Sequence, residues 1–100
     1  MMGKKLWSVF TDDMEHCYYT ESPLCERHHI FYGAQKKKSE KYGYIMPLAH
    51  HLHKFKKGSV HDSPNKGLDL ELKRKAYNHF LENHGTQDDF IAEFDRAYEE

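Results

Sequence analysis

Histidine dominates the chemistry this chain could perform: there are nine in one hundred residues, six of them between positions 28 and 61. A neutral imidazole binds divalent metals, and an unligated one accepts a proton near neutral pH. His28 and His29 are adjacent, His50, His51 and His53 share one short stretch, and His61 follows Gly58-Ser59-Val60. Neighbours on a strand point to opposite faces, yet at a strand end a twist or bulge can turn both toward one ion. A helix arriving twenty-four residues after His29 would add the His53 imidazole. On such a helix only one of His50 and His51 shares a face easily with His53. His16, His79 and His84 are expected to be ordinary surface or hydrogen-bonded side chains. Cys17 and Cys25 form no C-x-x-C pair, which excludes a four-cysteine zinc site. Two reduced thiols are expected there, with a Cys/Cys/His zinc knot as the weaker alternative.

The elements that must position these groups are short at the front and clearer at the back. Residues 17–20 are aromatic and β-favouring, residues 27–32 form a second extended run closed by Gly33, and residues 44–46 before Pro47 are a third strand candidate or the approach to a helix. Glu21-Ser22-Pro23 is turn chemistry. A short helix is expected over 48–57, ending near Gly58. Leu68, Leu72, Ala76 and Phe80 recur every four residues, which predicts an amphipathic helix after Ser63-Pro64 that stops at Gly85. Thr86 with Asp89 resembles a capping box, and Phe90, Ile91, Phe94, Ala97 and Tyr98 then predict a second helix. The fold class is α+β. A single domain is expected over 1–100, with a front unit at about 15–61 and a helical part at about 64–99 that supplies most of the core.

Composition narrows the class. Hydrophobic residues are 38%, charged residues 31% and mean hydropathy −0.95, which is polar, but 14% aromatics argue against a disordered chain. No apolar run reaches the ~20 residues of a membrane span, and Met1-Met2-Gly3-Lys4-Lys5 lacks the apolar segment of a signal peptide. A soluble, cytoplasmic protein without a membrane partner is expected. The net charge of −1 hides an asymmetry. Residues 33–58 carry seven lysines against Glu40, and residues 82–100 carry seven acids against Arg96. A basic middle beside an acidic tail is what a local anion site looks like, although any one lysine is more often plain solvated surface.

The ordered series His28-His29-Ile30-Phe31-Tyr32-Gly33, Ser39-Glu40-Lys41-Tyr42-Gly43, Pro47-Leu48, His53 and Val60-His61 resembles the small HNH-like (His-Me finger) endonucleases of bacteriophages and prophages. The similarity continues through residues 65–73, Phe90-Ile91 and Tyr98, covering about residues 15–98. It implies a ββα-metal unit, here with two C-terminal helices packed on it, that hydrolyses DNA phosphodiesters around one divalent ion. On that resemblance His29 matches the general base, and His28 and His53 match metal ligands. His61 matches a further histidine that completes metal or phosphate contacts. Magnesium or a transition metal such as manganese, nickel or zinc would serve. Lys36, Lys37, Lys38 and Lys41 would contact DNA phosphates, in a bacterial host cell, with a protein partner in phage recombination or packaging as a further expectation. The family's central asparagine, which holds the loop and orients the base, is missing between His29 and His53. Its absence favours the alternative of a weak or inactive nucleic-acid-binding module of the same fold. A metal-stabilised interaction protein that docks through its acidic C-terminal helix ranks third.

Overall fold

Strand β1 (Cys25–His29) pairs antiparallel with strand β2 (Ile45–Ala49), Cys25 opposite Ala49 and His29 opposite Ile45. The computed structural model describes residues 6–53 and 67–99, and at 51 and 53 only the backbone. Between the strands lie a 3-10 turn at Gly33–Gln35 and helix α1 (Lys36–Tyr42). Helix α2 (His50–His53) follows β2 directly, then α3 (Gly67–Asn83) and α4 (Gln87–Phe94) complete a small α+β arrangement. Among the described residues, no helix is long and apolar enough to cross a membrane. Both cysteines are free thiols.

The strands differ from the sequence expectation by a few residues. Residues 17–20 form a turn rather than a strand: the Glu21 N–H donates to the Cys17 carbonyl (2.9 Å), and Glu21 takes a left-handed φ of 62°. β1 begins two residues before the expected run, and Ile30, Phe31 and Tyr32 lie past its end. β2 runs through Pro47 instead of stopping before it. Proline offers no donor to a ladder, and on the side of β2 away from β1 the Tyr18 N–H donates to the Pro47 carbonyl (2.8 Å). All five β2 residues are buried. The helix expected from 48 starts at His50, and residues 54–57 of that expectation lie outside the described residues, as does Ser63-Pro64.

Helix α1 was hidden behind its charge. Residues 36–42 contain no glycine, proline or β-branched side chain, and the helix closes on Gly43 at φ 74°, a left-handed cap that favours glycine. Space enforces the same choice: a Cβ on Gly43 would lie 2.7 Å from the Trp7 ring. The N-terminal segment therefore straps over the end of α1, with the Val9 N–H donating to the Gly43 carbonyl (2.9 Å) and the Trp7 indole N–H to the Glu40 carbonyl (3.1 Å).

The two back helices match their sequence patterns. Leu72, Ala76, Tyr77 and Phe80 are the buried stripe of α3. At the start of α4 the Thr86 hydroxyl accepts from the Asp89 N–H (3.2 Å), and the Asp89 carboxylate accepts from the Thr86 N–H (2.9 Å), the expected reciprocal cap. The helix ends at Phe94 rather than continuing to Tyr98, because Asp95 turns left-handed (φ 73°), a conformation that aspartate tolerates. The Gln35 amide donates to the Asp95 carboxylate (2.9 Å) and ties that turn to the front unit. Tyr98 still reaches the core.

Phe31 joins the end of β1 to that core. Its ring centroid lies 4.2 Å from Phe94, 5.8 Å from Phe90, 5.7 Å from Tyr98 and 6.1 Å from Tyr44. The segment just after β1 is thus locked to α4, so the chain that follows the histidines at the strand end is anchored in the aromatic core.

Candidate active site

His29 closes β1, and its Nε2 lies 2.8 Å from Glu40 Oε2 on α1. A carboxylate only accepts, so Nε2 carries the hydrogen and Nδ1 is left as the proton-accepting atom. Both partners are largely shielded, with side-chain exposures of 13% and 22%. The contact therefore acts in a lower dielectric than a surface pair and holds the ring more firmly.

Ser39, the residue before Glu40, is what fixes this geometry. Its buried hydroxyl donates to the Phe31 carbonyl (2.7 Å) and accepts from the Phe31 N–H (2.9 Å). One side chain thus satisfies both backbone groups of a residue that has just left the strand ladder. It clips the chain after β1 onto α1 at the turn that presents Glu40.

The strand register runs unbroken through His28 and His29, so no bulge turns them to one side. Their described neighbours differ accordingly. His28 is buried and meets the Tyr32 ring at 5.8 Å. Tyr32 leads on to α3: its hydroxyl donates to Asp69 Oδ1 (3.4 Å), and Asp69 Oδ2 pairs with Lys73 Nζ (2.9 Å). The Lys73 ammonium lies 4.8 Å from the Tyr32 ring centroid and 5.9 Å from that of Tyr98. Burial, then the Asp69 charge, push the Tyr32 hydroxyl up to about 12. It remains a neutral donor at any physiological pH.

Of the other expected ligands, the His53 imidazole and the whole of His61 lie outside the described residues. Among the described residues, no group of three or more His, Cys, Asp or Glu side chains is placed to hold a metal ion. The described residues alone therefore do not make up a metal site, and of the three expected ligands only His28 is among them.

The four lysines separate into two kinds. Lys36, Lys37 and Lys41 are exposed on α1. Glu40 shares their side of the helix, three residues after Lys37 and four after Lys36. Lys38 turns away: its Nζ donates to the Glu93 carbonyl (2.5 Å) and lies 4.0 Å from the Glu93 carboxylate on α4. The basic stretch seen in the sequence is thus partly a structural tie between α1 and α4.

Of the remaining histidines, His16 meets Asp13 (2.9 Å), and His79 Nδ1 lies 3.2 Å from the buried Tyr44 hydroxyl. Burial, and then the neighbouring His84, hold His79 below its ordinary value of 6.5. Tyr42 and Tyr44 pack in or against the core. Comparison with protein-family models, curated proteins and solved structures found no match for the chain.

Proposed function

We propose that this chain is a metal-dependent DNA endonuclease in which His29 is the general base and Glu40 its orienting partner. The observation that carries the reading is the 2.8 Å contact between His29 Nε2 and Glu40 Oε2, on the same helix as three exposed lysines. Glu40 and Ser39 together take on the two tasks of the missing asparagine: the carboxylate orients the base and the hydroxyl holds the loop. His29 Nδ1 accepts the proton of the attacking water, help typically worth about 10²–10⁴-fold. Lys36, Lys37 and Lys41 hold the DNA backbone beside it, with affinity that falls as salt rises. A divalent ion held by His53 and His61 would supply charge stabilisation at the phosphoryl and leaving oxygens, and His28 would join them only by turning its ring to the His29 side of β1. Cleavage would leave 5′-phosphate and 3′-hydroxyl ends.

The test is incubation with supercoiled plasmid across magnesium, manganese, nickel and zinc, with a chelator control. Nicking that the chelator abolishes, and that His29→Ala removes while melting is unchanged, is the expected result. Undiminished nicking by His29→Ala overturns its role as base. The second reading, a binding module of the same fold, is favoured by the absence of asparagine between His29 and His53. It predicts salt-sensitive DNA binding with no scission at any metal.

A further inference from the structure

Away from His29, a cleft of about 620 Å³ opens between the turn carrying Tyr18 and Tyr19 and one face of α3. From α3 it is lined by Leu70, Glu71, Arg74 and Lys75. Tyr18 and Tyr19 are among the few large hydrophobic side chains left exposed, at 37% and 40%, and their rings meet edge to face at 5.1 Å. The cleft also carries an exposed acid, Glu71, whose Oε2 accepts from the Tyr19 hydroxyl (2.9 Å). The cations are differently placed. Lys75 Nζ stands 5.6 Å from the Tyr18 ring centroid, and Arg74 Nε is buried without a hydrogen-bond acceptor among the described residues.

An exposed ring with one cation beside it and a second lining the same cleft, against the single acid Glu71, suits a ligand that pairs a flat face with a negative charge. A duplex shows no base faces along its length, whereas single strands do. We propose that this cleft binds single-stranded DNA, one unpaired base stacking on Tyr18 while Arg74 and Lys75 hold the adjoining phosphate. The inference rests on the nucleic-acid reading above for its class of ligand, and it requires no cleavage. It gives the chain a second contact with its substrate, one that selects frayed, gapped or unpaired DNA.

The experiment is a titration of the unaltered 100-residue chain with a thymidine pentanucleotide in chelator, followed by backbone amide shifts, beside an abasic pentamer of equal charge. Shifts at residues 18–20 and 70–78 are expected, with the abasic pentamer weaker by at least about tenfold. Tyr18→Ala should lose affinity to the same degree, and Tyr18→Phe should stay within about twofold of the unaltered chain. Shifts confined to α1, or equal affinity for the two pentamers, overturn the proposal. Because the pentamer comparison uses the unaltered protein, it decides the matter even if Tyr18→Ala fails to fold. Loss of plasmid nicking with intact pentamer binding would defeat the endonuclease reading and leave this one standing.

Discussion

Glu40 decides which nitrogen of His29 carries the hydrogen, and that choice is more fragile than the contact itself. Glu40→Gln keeps the shape but offers the ring either an acceptor or a donor, so the imidazole can settle with its proton on the wrong nitrogen. For a base of this kind we expect single-turnover nicking to fall by about 10²–10⁴-fold with little change in melting. A rate within about threefold of the unaltered chain would show that the carboxylate only packs there. His79 gives a second residue-level test, this time of stability. Its imidazole charges near 6.5 when unfolded, and only at lower pH when folded. Between those values the unfolded chain binds more protons, so folding stability falls as pH drops below about 6.5 and through the folded value. His79→Gln, which keeps an acceptor for the Tyr44 hydroxyl but cannot titrate, should flatten melting temperature against pH from 7.5 to 5. Parallel curves would remove His79 from the acid response.

At the scale of elements, α3 and α4 were legible because their cores repeat with helical period and their caps use recognisable side chains. The two strands were legible in kind but not in length. Pro47 reads as a stop, and only the tertiary arrangement shows that the missing N–H is not needed there. α1 was not legible as a helix, since a lysine run reads as solvated surface and the apolar period is too short to register. Glu40 stood out as the lone acid among seven lysines and as part of the Ser39–Gly43 run, but nothing local says that it reaches back eleven residues to an imidazole. The same short-range blindness merged Lys38 with its neighbours. Binding data should part them. Replacing Lys36, Lys37 and Lys41 together by glutamine should lower the slope of log affinity for duplex DNA on log salt by about 2–3, at roughly 0.9 per phosphate contact. Lys38→Gln should leave that slope alone and lower the melting temperature instead, because it frees the Glu93 carbonyl. An equal change of slope for Lys38→Gln would place it on the DNA.

For the molecule as a whole, the feature hardest to foresee was the ion pair inside it. Asp69 and Lys73 read as one turn of a solvent-facing helix, yet both are buried, at 1% and 6% exposure. Removing one partner takes a buried counter-charge from the other, at a cost of up to about 3–5 kcal/mol. Asp69→Asn or Lys73→Met should therefore lower denaturant midpoints sharply, whereas the double change Asp69→Leu with Lys73→Met should recover most of the loss. If the double variant is no better than the singles, the pair is more than a balanced charge, and Tyr32 and Tyr98 depend on it individually.

The Ser39 clasp on Phe31 carries the broadest consequence. Ser39 ties the residue that carries the Phe31 ring to the helix that carries Glu40, so little chain separates the aromatic cluster from the His29–Glu40 contact. Loosening the interior at Phe94 or Phe90 should blur the alignment of His29 well before the protein melts. Heat inactivation would then run several degrees ahead of global unfolding.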